Sequence, residues 1–283
     1  MTKTGTDFKP EEVMISCIAR EIKNGDVLAQ GIATPLVASG YILAKMTHAP
    51  DSVFLYTIGN TLSRDAGKVA LSTYEDLSIG RALKQISFTD ISCEILSAVK
   101  PKEFFRPAQI DKWGNFNNIV IGDYYKPKVR LPGCAGIADV TTYYENIYLY
   151  VPRHNKNTFV EKIDFVSGVG YLSGESQAER EKLGVISPGP KKIITDLCVF
   201  GFVEGRVALE SLHPGVSLQE VIDNTGFEII IPDKIVETQP PTAEELDLLR
   251  NVIDPYGVRE LELLSGKKRL AKIREIYKQE IGA

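Results

Sequence analysis

The chain has 283 residues, of which 43% are hydrophobic and 25% charged, and a formal net charge of −4. This is ordinary for a globular protein large enough to bury a core. The charge gives no footing for nucleic acid or an acidic membrane surface as partner, and no apolar run approaches the roughly 20 residues that cross a bilayer. Met1 to Pro10 is polar and lacks the apolar stretch of a secretory signal. Cys17, Cys93, Cys134 and Cys198 lie far apart without a CxxC spacing, so reduced thiols in a cytoplasmic protein are expected rather than a zinc or dithiol motif. Three scattered histidines without a His-x-x-x-His pair give no metal site.

Glu11 to Lys23 reads as an amphipathic helix. Pro10 suits its first turn, Glu11 and Glu12 complement the positive end of its dipole, and Val13, Cys17, Ile18 and Ile22 recur at helical spacing. Asn24-Gly25-Asp26 turns the chain into a strand, Val27 to Gln30, which runs into the small-residue loop Gly31-Ile32-Ala33-Thr34-Pro35. Thr34 suits an N-cap and Pro35 the first residue of a helix to about Met46; Ala49-Pro50-Asp51 ends it, and Val53 to Tyr56 is a buried strand. Strand, helix, strand predicts a βαβ unit with parallel pairing. Further strands are expected at Asn118–Ile121, Ile147–Val151 and Lys162–Val166, and a hairpin of Ile193–Phe202 with Val207–Leu212 around Glu204-Gly205. Ser217 with Glu220, and Thr242 with Glu245, fit capping boxes opening short helices. From Arg259 the chain reads as charged helix. With no repeat and no flexible linker, residues 1–260 read as one domain and 261–283 as a charged helical C-terminal tail.

In a parallel α/β sheet, ligands collect at the carboxyl ends of the strands. Gly31 to Pro35 and Thr57 to Asn60 both stand there, which makes Gly31, Ala33, Thr34, Thr57 and Asn60 candidate site residues. Leu131 to Asp139 holds a second small-residue turn, Gly133-Cys134-Ala135-Gly136, anchored by Ile137 to Val140. Such turns can aim backbone N–H groups at an oxyanion or a thioester, or can simply be turns. Thr57 either lines a pocket or satisfies a local backbone group. Cys134 has no assigned base to activate it. His48 reads as a solvated or capping side chain, His154 as loop surface, and His213 as a structural histidine before a Pro-Gly turn. Gln109 to Asn115 is either a polar turn or a substrate contact.

Collinear short motifs carry a resemblance over roughly Glu11 to Leu261. They are Ala19 to Gly25, Gly31 to Pro35, Ala49-Pro50-Asp51, Gln109 to Asn115, Gly122-Asp123-Tyr124, Gly133 to Asp139, Lys162 to Val166, Asn224 to Phe227 and Ile253-Asp254-Pro255. These resemble the β subunit of the class I coenzyme A transferases, of the glutaconate CoA-transferase type. The resemblance implies an α/β fold with an open, mostly parallel sheet and helices on both faces. It also implies a homologous α subunit as partner, in a heterodimer or an α2β2 assembly, with an acyl-CoA thioester as substrate and no permanently bound cofactor. The loops 31–35 and 133–136 would contact substrate or CoA. In that family a β-subunit glutamate attacks the acyl-CoA carbonyl, and its position, counted from Asp51, is Thr57 here. A threonine cannot form the anhydride.

The segments Asp164 to Tyr171, Ser211 to Val216 and Pro241 to Leu246 also resemble the β subunit of the ring-opening CoA-thioester hydrolases of steroid breakdown. That offshoot is without the β-subunit glutamate and takes its carboxylate from the α subunit; a further relative is a decarboxylase of an acyl-CoA. Hydrolysis or C–C cleavage of an acyl-CoA is therefore expected, with CoA transfer and a non-catalytic scaffold for an active α subunit as the alternatives.

Overall fold

The computed structural model describes residues 7–31, 34–57, 59–71 and 79–282. These residues gather into two compact units, Met1–Glu103 with Pro240–Ala283, and Phe104–Gln239.

In the first unit, α1 (Pro10–Arg20) leads to β1 (Val27–Gln30), α2 (Pro35–Thr47) and β2 (Val53–Tyr56). β1 and β2 are parallel, with Val27 opposite Val53 and Gln30 opposite Tyr56, so the βαβ unit forms as its alternation of apolar segments requires. β3 (Thr61–Ser63) and β4 (Lys84–Gln85) continue the sheet antiparallel, in the order β1-β2-β3-β4. Gly40 permits the close approach of the first two helices, because a Cβ there would lie 2.6 Å from Ile18 Cγ2.

The first helix is buried along most of its length, Glu11 and Glu12 included, rather than amphipathic. Its acidic face is covered by Arg250 and Arg259, which bind the Glu12 carboxylate at 2.7–3.1 Å. Thr242 and Glu245 form the reciprocal capping box of Ala243–Asp247. The C-terminal segment is a 3-10 turn, Val258–Glu262, followed by the helix Gly266–Ile281, which buries Ile276.

The second unit is built on a five-stranded sheet of order β13-β12-β11-β10-β5: β5 (Glu103–Phe105), β10 (Ile147–Val151), β11 (Ile193–Thr195), β12 (Cys198–Val203) and β13 (Arg206–Leu212). β10 and β11 are parallel, while β11, β12 and β13 are antiparallel. Glu204 and Gly205 both have positive φ, 49° and 75°, as a two-residue turn joining right-twisted strands demands. Two small hairpins, β6 (Gln109–Ile110) with β7 (Phe116–Asn117) and β8 (Val120–Gly122) with β9 (Pro127–Arg130), complete the unit's strands. The class is α/β, with sheets that are mixed rather than mostly parallel.

Three expected strands change for one physical reason: a polar side chain captures backbone amides that a ladder would have used. Asn118–Ile121 breaks because Asn117 Oδ1 accepts the amides of Ile119 (2.9 Å) and Val120 (3.3 Å). Ile193–Phe202 splits in two because Thr195 Oγ1 accepts the amides of Leu197 (3.0 Å) and Cys198 (2.9 Å). Lys162–Val166 is not a strand. There the Gln109 side chain bridges to the Asp164 amide (3.0 Å) and carboxylate (2.9 Å), and that carboxylate also takes the Gly122 amide (3.0 Å).

Candidate functional site

The carboxyl ends of β1 and β2 bring several candidates together. Gln30 ends β1, and its carbonyl accepts both the amide (3.2 Å) and the hydroxyl (2.9 Å) of Thr57. Thr57 therefore ties the two strand ends together, the local backbone role open to a strand-end threonine. Its hydroxyl proton is already donated, which leaves the oxygen lone pairs for any further partner. Asn60 closes the turn between β2 and β3 in the left-handed region, φ 53°, and its carbonyl accepts the Ile86 amide (2.7 Å). A Cβ built on Gly31 would meet nothing within 4 Å. Ala33 lies outside the described residues.

Thr34 holds the N-cap position of α2, but its side chain makes no capping hydrogen bond. That end of the helix is instead capped from a distance: the buried Glu262 carboxylate accepts the Leu36 amide at 2.9 Å. A carboxylate at the positive end of the helix dipole is favourable, and it takes up one donor that an anionic ligand could have used.

Polar satisfaction singles out this end of the sheet. Among the described residues, seven buried side-chain N or O atoms have no hydrogen-bond partner, and three of them, Gln30 Nε2, Thr34 Oγ1 and Asn60 Oδ1, belong to these two strand-end loops. Gln30 is 3% exposed. Sequence reasoning misses it, since a polar residue at a strand end carries no signal until its burial is known.

In the second unit, the turn 131–136 is held at its start by the Leu131 amide on the Ile119 carbonyl (3.0 Å) and the Gly133 amide on the Asn118 carbonyl (3.1 Å). The Gly133 N–H, expected as a ligand donor, is therefore committed within the fold. Gly133 (φ 115°) and Ala135 (φ 42°) both adopt the left-handed region, and a Cβ on Gly133 or Gly136 would meet nothing within 4 Å. Ile137–Tyr143 is a short helix that buries Val140 and Thr141, not a buried run. Cys134 is half-buried and its carbonyl accepts the Ile137 amide.

All three histidines are structural. His48 Nε2 lies 3.1 Å from the carbonyls of Ala19 and Ile22, at the end of α1. His154 is buried rather than on a loop surface, between Thr195 Oγ1 (3.1 Å) and Thr225 Oγ1 (3.0 Å) and against the ring of Phe159. His213 spans Thr238 Oγ1 (3.0 Å) and the Thr195 carbonyl (2.8 Å). Burial lowers both imidazoles, His154 to about 3 and His213 to about 4. Asp111 likewise serves its own turn, accepting the amides of Trp113 and Asn115. Asn115 then carries the tie onward to the Gly170 and Leu172 amides. Among the described residues no group of three His, Cys, Asp or Glu side chains could hold a metal, and no helix is long and apolar enough to cross a membrane.

Asp196 lies in the same region, with its carboxylate accepting the His154 amide at 2.8 Å. Desolvation pushes it up to about 6. The two histidines contribute stability that is present above their unfolded value of 6.5 and is lost as pH falls towards 4 and 3. The aspartate works in the opposite sense: its contribution is present below its unfolded value of 3.8 and is lost as pH rises through about 6. Asp196→Asn keeps an acceptor for the His154 amide and removes the buried charge. It should therefore stabilise the protein at pH 7 by roughly 2–3 kcal/mol, with the gain vanishing towards pH 4. Urea titrations of both proteins at the two pH values measure this, and an equal effect at both would show that the carboxylate is not desolvated.

Comparison with known proteins places this arrangement. Residues 12–224 match the coenzyme A transferase family. The chain is 35% identical to the B subunit of 3-oxoadipate CoA-transferase from Pseudomonas knackmussii, over 86% of this chain and 92% of that one. It is 29% identical to the cholesterol ring-cleaving hydrolase IpdB subunit of Rhodococcus jostii, over 93% and 99%. The structure superposes on glutaconate coenzyme A-transferase from Acidaminococcus fermentans with a TM-score of 0.79 and 29% identity, covering 92% of this chain and 99% of that one. With its parallel βαβ start and its match to these separate subunits along almost their whole length, the chain belongs to the coenzyme A transferase family.

Proposed function

We propose that this chain is the β subunit of a heteromeric cytoplasmic enzyme that acts on an acyl-CoA thioester together with a homologous α subunit. Its reaction is hydrolysis or C–C cleavage rather than CoA transfer. What carries the reading is Thr57: counted from Asp51 it takes the place of the glutamate in the family pattern that the sequence resembles, and its hydroxyl is bound to the Gln30 carbonyl. A side chain without a carboxylate cannot form the acyl anhydride from which a glutamyl-CoA thioester follows, and a hydroxyl held by a carbonyl rather than by a base is a poor alternative nucleophile. The likeness to a ring-cleaving hydrolase subunit over nearly the whole chain supports the same direction. Gly31, Ala33, Thr34, Asn60 and the turn Gly133, Cys134, Ala135 and Gly136 are the residues assigned to substrate or CoA contact, and the essential carboxylate is assigned to the partner.

The chain should co-purify with the product of a neighbouring α-subunit gene and be inactive alone. Incubation of the complex with acyl-CoA, followed by borohydride or hydroxylamine trapping and mass spectrometry, should find no adduct on this chain, while the acyl-CoA is consumed without an acceptor acid, by thiol release in hydrolysis or with the thioester retained in C–C cleavage. A CoA adduct on a carboxylate of this chain, with turnover that requires an acceptor acid, would restore transfer. Full activity from a monodisperse monomer of this chain would remove the partner.

A further inference from the structure

Gln30 carries a cost that packing does not explain. Its side chain is buried, 3% exposed, and Nε2 donates to nothing; an unsatisfied buried amide donor is unfavourable where a methionine of similar shape would be neutral or better. Its main-chain carbonyl, by contrast, is doubly engaged, taking both hydrogen bonds from Thr57. Gln30 is thus tied through its main chain to Thr57, the position counted to the family's nucleophile, and it ends β1 in register with Tyr56, with a donor held in reserve. Two further buried polar atoms without a partner, Thr34 Oγ1 and Asn60 Oδ1, belong to the same strand-end loops. What an N–H donor in a low-dielectric place suits is an acceptor oxygen, and in an acyl-CoA the oxygen at the reacting centre is the thioester carbonyl.

We propose that the Gln30 carboxamide donates a hydrogen bond to the carbonyl oxygen of the bound thioester. This rests on the acyl-CoA reading above and adds a contact that reading does not contain. Because every acyl-CoA shares that oxygen, loss of the donor acts on all of them alike, whereas a contact to the acyl chain acts on some and spares others.

The test is Gln30→Met, with Gln30→Leu as a second variant should the first fail to fold, each co-purified with the α partner. Two quantities are read: the melting temperature, and consumption of acetyl-CoA, butyryl-CoA and glutaryl-CoA, followed as loss of the starting thioester whether by hydrolysis or by C–C cleavage. The expected result is a Tm unchanged or raised by about 2–4 °C. With it, kcat/KM should fall roughly a hundredfold for every thioester that the wild type cleaves. Three results overturn the proposal: a lowered Tm with unchanged kinetics, which marks a structural amide; a fall in both; or a rate loss confined to one acyl group. If the wild-type complex consumes none of the three and binds none in a thermal shift, the acyl-CoA reading itself fails and takes this contact with it. That outcome is distinct, because it is seen before any variant is made.

Discussion

Glu12→Ala is expected to destabilise the first unit by about 3–5 kcal/mol, the usual cost of removing one partner from a buried ion pair. Glu12 is fully buried on α1, and its carboxylate accepts the Lys9 amide (2.8 Å), Arg250 Nε (2.8 Å) and Nη2 (2.7 Å), and Arg259 Nη2 (3.1 Å). Desolvation pushes this carboxyl upward, but Arg250, the Lys9 amide and Arg259 outweigh it and hold the group below the usual carboxylate range. Its stabilising effect is therefore present above the unfolded value of 4.5 and is lost as pH falls below it. Alanine leaves Arg259, 5% exposed, with Asp254 as its remaining ion-pair contact among the described residues. Arg250 is one-third exposed, so Arg250→Ala leaves Glu12 with Arg259 and should have a smaller effect. Urea denaturation at pH 7 ranks the two variants, and a loss under 1 kcal/mol for Glu12→Ala would mean that water reaches the carboxylate.

That ion-pair cluster marks a limit of what could be read from the chain alone. Pro10, Glu11 and Glu12 announce the start of a helix by local chemistry, and the helix begins at Pro10. The arginines that bury Glu12 arrive from some 240 residues away, and nothing local distinguishes a paired buried glutamate from a solvated one. The strands Val27–Gln30, Val53–Tyr56 and Ile147–Val151 were legible to the residue, because apolar runs bounded by turn formers leave few alternatives. Where the side chains of Asn117, Thr195 and Gln109 divert the backbone, the same apolar pattern misleads. The candidate site divides in the same way. Its loops could be placed from Gly31, Thr34-Pro35 and the position of Thr57, whereas the orphaned carboxamide of Gln30 and the Glu262 cap of α2 are consequences of burial and long-range contact.

Gly136→Val is expected to lower kcat/KM of the αβ complex roughly a hundredfold or more while leaving Tm within a few degrees of the wild type. The expectation follows from where the turn's donors go. Gly133 donates its amide to Asn118, so any backbone contact to a thioester or to CoA falls to the remaining residues of the turn, Cys134 to Gly136. Gly136 has φ −81° at the N-cap of Ile137–Tyr143, a value open to any residue, and a Cβ there meets nothing within 4 Å. A valine side chain is thus accommodated by the free chain, and its cost to the fold is the loss of a glycine N-cap, about 1 kcal/mol. If the turn meets the thioester or CoA as proposed above, the same side chain would occupy the space the ligand enters to reach the amides, and losing one positioned donor raises a barrier by about 3 kcal/mol. Kinetics and melting temperature measured on one preparation separate the two roles. A structural turn would lower Tm and leave the surviving enzyme's kinetics nearly unchanged, and near-normal kcat/KM would remove this turn from substrate binding.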